Sequence, residues 1–156
     1  MNANFLNPFI TSTINILSVM AQLNAKPGPA ALKNDNVAWG DVTGLMGMTG
    51  DKVKGSFSLS FSTAAILDIT ERMLGEKVTT IDDTVTDMTG ELVNMATGGA
   101  KNLLAENGYH FDMAIPIVVA GRNHIVQHKS DGPIIIMPFT IETGAFYIEL
   151  SFEDVA

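Results

Sequence analysis

The sequence predicts an α+β fold in which about three helices pack on a six-stranded antiparallel sheet. Three long segments repeat apolar residues every three or four positions, as amphipathic helices do. Other segments alternate apolar with polar residues, which is typical of strands that bury one face. The connections between later strands are short, and short connections join antiparallel neighbours. Because helices and strands occur in separate runs, the pattern favours the α+β class.

The first predicted helix runs from Asn4 to about Leu23, where apolar residues recur at helical spacing. Asn7 followed by Pro8 is a typical pair of N-cap and first-turn residues. The run Lys26–Pro29 then ends the helical pattern, because proline and glycine both interrupt helices.

A hairpin follows this helix in the sequence. Its strands are predicted at Trp39–Met48 and Val53–Phe61, with a turn at Thr49–Lys52. Apolar residues alternate with serines along the second strand, so we expect this strand to bury one face. The two alternating sets are Phe57, Leu59 and Phe61, and Ser56, Ser58 and Ser60.

Two further helices and four further strands complete the predicted fold. Ser62 is expected to cap the second helix, which ends at Gly75. The third helix is expected from Thr80 to about Asn107, just before Gly108. The remaining strands are predicted at Phe111–Ala120, His124–Lys129, Ile134–Phe139 and Ala145–Phe152.

Length and charge limit the classes of function that the chain can have. Its 156 residues suit one domain, which we expect to span residues 1–156. Nine basic residues against 17 acidic ones give a net charge of −8, which argues against a surface for nucleic acid or an anionic membrane. The absence of cysteine excludes thiolate catalysis and Cys-ligated zinc or iron–sulfur centres.

Composition also bears on compartment and assembly. The first 25 residues carry no charge, but polar residues interrupt every apolar run among them. They therefore match neither a signal peptide nor a membrane helix, and we expect a cytoplasmic protein. Only 17% of the residues are charged, which favours a homodimer in which a second copy covers part of the surface.

The third helix carries a polar stripe beside its apolar face. Asp87, Glu91, Asn94 and Gly98 follow the spacing i, i+4, i+7, i+11, which places them in a nearly straight line. Two features of the stripe are unfavourable for an isolated helix. Asp87 and Glu91 are like charges one turn apart, and Gly98 and Gly99 each cost about 1 kcal/mol relative to alanine.

Spacing alone leaves two interpretations of this stripe open. It is either a solvated helix face beside a packing notch of small residues, or a docking ridge that presents polar groups to a partner. In the second interpretation the glycines admit the backbone of that partner.

The pattern Asp87-x3-Glu91-x2-Asn94, with Pro116 twenty-two positions later, resembles the signature of the CheC/CheX/FliY family. Members of this family dephosphorylate the bacterial response regulator CheY. The predicted order of helices and strands resembles the fold of this family over essentially the whole chain. The first helix offers only Ser12-x2-Asn15, with Pro8 in the leading position and no glutamate. One intact motif is similar to the CheX branch, whose members are typically homodimers.

The resemblance implies that the substrate is an aspartyl phosphate on a CheY-like receiver domain. Asn94 would position the attacking water, and Glu91 would pair with the receiver lysine that contacts the phosphoryl group. Gly98 would admit the partner, and Asp87 would either contact the partner or only solubilise the face. The receiver domain would supply Mg²⁺, so the chain would need no cofactor or metal site of its own.

The sequence alone leaves two other functions open. The first is a non-catalytic dimeric module that docks receiver domains or a motor-switch partner. The second is a dimeric scaffold without a phosphorelay role. The intact pair of Glu91 and Asn94 favours catalysis over the docking module.

The three histidines, His110, His124 and His128, are expected to have packing or surface roles. On the predicted strand, His124 and His128 would be about 13 Å apart, which is too far to share a metal ion.

Overall fold

Three helices and eight strands form the regular structure of residues 3–155, the part of the chain that this computed structural model describes. The helices are α1 (Ala3–Ala21), α2 (Thr63–Leu74) and α3 (Asp83–Ala105). The strands are β1 (Lys26–Pro27), β2 (Ala31–Lys33), β3 (Val42–Gly50), β4 (Val53–Phe61), β5 (Phe111–Met113), β6 (Ile117–Ala120), β7 (Ile134–Ile141) and β8 (Gly144–Asp154).

The strands form one antiparallel sheet in the order β1-β7-β8-β4-β3-β5. In addition, β2 pairs with β7 and β6 pairs with β3. The helices pack on one face of this sheet, where Phe9 of α1 contacts Phe57 of β4 with ring centroids 4.6 Å apart. The predicted α+β class and the predicted antiparallel pairing are therefore confirmed.

The strand count differs from the predicted six for three reasons. Lys26–Lys33 contains two short strands that pair with β7, although proline and glycine suggested only a break. Residues 111–120 form two strands, because three residues, 114–116, lie opposite two residues of β3. Such a bulge accommodates Pro116, which has no N–H for the ladder. Residues 124–129 are not a strand, and only Ile125 forms an isolated bridge, with Val37.

The ends of α2 and α3 agree with the prediction to within a few residues. Ser62 caps α2 by accepting a hydrogen bond from the N–H of Ala65, and Gly75 ends it with a φ of 72°. Asp82 caps α3 by accepting from the N–H of Val85. Local hydrogen bonds of this kind depend on neighbouring residues, so the sequence is sufficient to predict them.

The predicted start of α1 at Asn4 agrees with the structure to within one residue, but the expected capping pair is wrong, because the helix already includes Ala3 and Pro8 lies inside it. Asn7 therefore does not cap the helix. A proline in the second turn removes one helical hydrogen bond. Burial of Phe5 and Phe9 on either side of it holds this turn against the core.

Trp39 does not begin β3. It is 54% exposed and packs edge-on against Tyr147, with ring centroids 5.5 Å apart. Pro138 lies in β7 opposite the gap between β1 and β2. Its carbonyl accepts a 2.8 Å hydrogen bond from the N–H of Gly28 in that gap.

The second face of the sheet is also buried, which the alternation of β4 did not predict. Ser56, Ser58 and Ser60 are completely buried. Residues 122–133 cross this face without regular structure and supply hydrogen-bond partners to Ser56 and Ser60, directly or through Thr43. Within residues 3–155, no helix is long and apolar enough to cross a bilayer.

Candidate functional site

Helix α3 places the polar stripe on its solvent side. Its apolar residues face the sheet and α1, and the fully buried ones include Val85, Leu92, Val93 and Ala96. With that face fixed by burial, Asp87, Glu91 and Asn94 are exposed. We call Asp87, Glu91, Asn94 and Gly98 the α3 ridge.

The polar side chains of the α3 ridge have no partner within the described part of the chain. Asp87, Glu91 and Asn94 form no hydrogen bond or ion pair there. Glu91 and Asn94 lie about 4.5 Å apart along the helix axis, since they are three residues apart. A carboxylate and a carboxamide therefore project from one rigid surface and are both free to bind another molecule.

The two adjacent glycines of α3 have different environments. A Cβ at Gly98 would enter open space, whereas a Cβ at Gly99 would overlap the hydroxyl of Ser12 on α1. Gly99 therefore belongs to a packing notch, as the first interpretation of the stripe expected. Gly98 has no such internal explanation.

The degenerate motif of α1 does not form a second ridge. Ser12 is buried and donates a 2.8 Å hydrogen bond to the carbonyl of Ala96 on α3. Asn15 is exposed, but it has neither the glutamate nor the leading polar residue of the intact motif beside it.

Strand β6 packs against α3 next to the α3 ridge. A Cβ at Gly90 would lie 3.3 Å from Cγ2 of Val118, so the strand and the helix approach closely at the residue before Glu91. Pro116 lies two residues before Val118, in the bulge that separates β5 from β6. The motif proline is thus placed in the edge segment that flanks the ridge.

Two histidines, His124 and His128, hold residues 122–133 on the second face of the sheet. His124 bonds through Nδ1 to the carbonyl of Gly121 and through Nε2 to the hydroxyl of Thr43. His128 bonds through Nδ1 to the hydroxyl of Ser56 and through Nε2 to a carboxylate oxygen of Glu149. His110 is exposed. Packing roles for His124 and His128 agree with the expectation from sequence.

Lys33 and Glu149 form a buried ion pair next to His128, and sequence reasoning missed this pair. The ammonium of Lys33 lies 2.8 Å from Glu149, with side chains only 2% and 1% exposed. Burial by itself would raise the pKa of the Glu149 carboxyl, but hydrogen bonds and charge from His128 and Lys33 hold that pKa below its usual value. The only signal of this pair in the sequence is Glu149 itself, an acidic residue inside the apolar run of β8.

Ser56, His128 and Glu149 have the residue types of a nucleophilic triad. However, the side chain of Ser56 is completely buried and also accepts a hydrogen bond from the N–H of Lys129. A substrate carbonyl therefore has no access to it, and the cluster fastens residues 122–133 to the sheet. Among residues 3–155, no group of three or more acidic or histidine side chains is arranged to hold a metal ion.

Comparisons with known proteins agree on one family. The family model described as chemotaxis phosphatase CheX matches residues 42–140. A CheC-like superfamily protein from Shewanella sp. PV-4 is 57% identical with a TM-score of 0.92, over 98% of this chain and 99% of that chain. The CheY-P phosphatase CheX of Thermotoga maritima is 29% identical over 143 residues, 90% of each chain.

A further solved structure shares the fold at lower identity. The CheX–CheY–BeF3–Mg²⁺ complex from Borrelia burgdorferi matches with a TM-score of 0.81 and 20% identity, over 96% of this chain and 97% of that chain. The family model covers more than half of the sequence, including the whole α3 ridge and Pro116. This chain therefore belongs to the CheX family of chemotaxis phosphatases.

Proposed function

We propose that this chain hydrolyses the aspartyl phosphate of a CheY-like receiver domain in bacterial chemotaxis. The observation that carries the proposal is the exposed, unpartnered pair of Glu91 and Asn94 on a rigid helix. The relative from Thermotoga maritima is named for the same reaction on CheY-P, which supports this choice of substrate.

The reaction requires positioning more than acid–base chemistry. Attack of a water oxygen on phosphorus breaks the bond to the receiver aspartate and yields inorganic phosphate and a carboxylate. The carboxylate leaves without a proton, so what the protein supplies is an aligned water and charge complementarity. Asn94 suits this task, because its amide has both a donor and an acceptor and remains neutral at every physiological pH.

Glu91 has a separate task in this proposal. Its carboxylate lies one helical turn before Asn94 and would pair with the receiver lysine that contacts the phosphoryl group. The pair docks α3 and sets how far the amide of Asn94 extends into the receiver site. Glu91 therefore contributes chiefly to binding, and Asn94 to the chemical step.

Gly98 and Asp87 complete the proposed contact surface. A glycine inside a helix costs about 1 kcal/mol relative to alanine, and nothing within 4 Å of a Cβ at Gly98 requires its absence. Close approach of a partner backbone at this point explains the glycine. Asp87 extends the same exposed line by one turn, and we assign it to the partner contact as well.

We assign Mg²⁺ to the receiver domain and no cofactor to this chain. The Borrelia burgdorferi complex is described as containing Mg²⁺ together with CheY. The acidic residues of the α3 ridge form a line along the helix, not a cluster that converges on one ion. We also propose that residues 1–156 act as one CheX-like domain in the cytoplasm.

A homodimer is the second part of the proposal. Strand β6 pairs only with β3 among the described strands, so its other edge is unpaired. Apolar side chains are exposed in this strand and before and after it along the chain. We call Ile115, Ile117, Val119 and Ile125 the β6 edge patch. An apolar sheet edge of this kind favours pairing with a second copy, which would bury both at once.

The decay of a phosphorylated chemotaxis receiver, with and without this protein, tests the proposal. We expect faster decay with the wild type and with Asn15→Ala, a matched control that removes an exposed asparagine from α1. Binding of the receiver should be measured in parallel. Binding without any acceleration would refute the phosphatase and favour a non-catalytic docking module.

A further inference from the structure

Helix α1 contacts α3 directly behind the α3 ridge. Ser12 is 6% exposed, and its hydroxyl donates a 2.8 Å hydrogen bond to the carbonyl of Ala96. Ala96 lies two residues after Asn94, on the opposite side of α3 from the α3 ridge. The contact therefore joins the two helices at the turn that carries the water-positioning amide.

Two glycines weaken the helical turn that follows Asn94. Gly98 and Gly99 follow Asn94 by four and five residues, and each weakens the helix because glycine loses more backbone freedom on folding than other residues. In helical geometry the carbonyl of Ala96 is also the acceptor for the N–H of Ala100, so one turn spans both glycines. The Ser12 hydroxyl reaches the first peptide group of that turn.

The packing of α1 depends on the second of these glycines. A Cβ at Gly99 would overlap the hydroxyl of Ser12, so the absence of a side chain at Gly99 permits the contact with Ala96. Gly99 thus weakens the helix locally and at the same time admits the side chain that supports it. Gly98 is left free on the solvent side.

We infer that Ser12 is a positioning residue for Asn94: its hydrogen bond to Ala96 holds the turn of α3 that aims the amide at the attacking water. This inference rests on the proposed function. It gives the degenerate α1 motif a role, in which Ser12 supports the intact site from behind.

The chain offers a closely matched control for this inference. Thr13, the next residue of α1, is also buried, and its hydroxyl donates a 2.7 Å hydrogen bond to the carbonyl of Phe9 within α1. Ser12→Ala and Thr13→Val each remove one buried bond from a hydroxyl to a carbonyl. Only the first bond reaches α3.

Two measurements on these variants test the inference. We expect Ser12→Ala to lower kcat for receiver dephosphorylation about tenfold with KM unchanged, since small misplacements of a positioning group reduce turnover steeply. Thr13→Val should leave kcat within about twofold of the wild type. Amide hydrogen exchange should accelerate at residues 98–100 in Ser12→Ala but not in Thr13→Val.

Each outcome has a defined meaning. If amide hydrogen exchange at residues 98–100 were unchanged in Ser12→Ala, the claim that Ser12 holds this turn of α3 would be overturned. This result would count even if the wild type had no activity. Faster exchange with normal kcat would reduce Ser12 to a structural residue and overturn its positioning role. Failure of the wild type to accelerate decay would instead refute the proposed function.

Discussion

Gly98 and Gly99 are neighbours on α3, yet a side chain would enter open space at the first and overlap the hydroxyl of Ser12 at the second. The same substitution should therefore have opposite effects on stability. Gly98→Ala should raise the free energy of unfolding by about 1 kcal/mol, because alanine is the better helix former. It should also slow receiver dephosphorylation, because the added methyl group lies where the partner approaches.

Gly99→Ala is the matched control for this prediction. It should lower the free energy of unfolding by about 1–3 kcal/mol, as overpacking does. Ser12→Gly should restore part of this loss, since the Cα of residue 12 lies 4.0 Å from the new Cβ. Urea unfolding measures both effects. A Gly98→Ala variant that is stabilised and fully active would contradict a partner contact at Gly98.

Glu91→Ala should weaken docking more than chemistry. Loss of one partner from an intermolecular charge pair reduces affinity strongly, so KM for the phosphorylated receiver should rise about tenfold or more. At saturating receiver, kcat should stay within a few-fold of the wild type. Glu106→Ala, which removes an exposed carboxylate just after α3, should change neither constant. A large fall in kcat with unchanged KM would place Glu91 in the chemical step.

The buried pair of Lys33 and Glu149 should contribute to the acid sensitivity of the fold. At pH 7, Glu149→Gln leaves the Lys33 ammonium buried without its partner, which should cost about 3–5 kcal/mol. The pKa of Glu149 is lowered in the folded state, so its contribution is complete above the unfolded pKa of about 4.3 and is lost as pH falls through the folded value.

The difference in stability between wild type and Glu149→Gln should therefore narrow as pH falls below about 4. Glu153→Gln is the control, since Glu153 forms a partly exposed pair with Lys54 and should contribute less than about 1 kcal/mol. Urea unfolding between pH 7 and pH 3 measures both variants. A difference that stays constant down to pH 3 would show that Glu149 does not titrate as described.

The β6 edge patch predicts how a dimer can be broken. Ile117→Glu places a charge on the unpaired edge of β6 and should convert a dimer to a monomer in light-scattering measurements at micromolar protein. Val19→Glu, at an exposed apolar residue of α1, should leave the dimer intact. If Ile117→Glu kept the mass of the wild-type dimer, the second copy would have to bind elsewhere.

Sequence reasoning succeeded where the determining contacts are local. The cap of α2, the approximate span of α3 and the line of the α3 ridge follow from residues within a few positions of each other. Strand β1 was missed because its partner, β7, lies more than a hundred residues later and its own residues include a proline. The strand has only two residues, Lys26 and Pro27, which is too few to show an alternating pattern.

The second face of the sheet was missed for a related reason. Residues 122–133 are held by separate hydrogen bonds, such as those that join His124 and His128 to hydroxyls on β3 and β4, and not by a repeating ladder. The pair of Lys33 and Glu149 likewise joins residues far apart in the sequence. Gly98 and Gly99 look the same in sequence, and only the position of Ser12 distinguishes their roles.

The most direct test of the account is single-turnover decay of a phosphorylated receiver at saturating Asn94→Ala. At saturation the decay rate reports the chemical step and not docking. Saturation should be reachable because Glu91, which we assign to docking, is unchanged in this variant. We predict a decay rate about 10²-fold or more below that of the wild type, approaching that of the receiver alone. A wild-type rate for Asn94→Ala under the same conditions would contradict the central claim that Asn94 positions the attacking water.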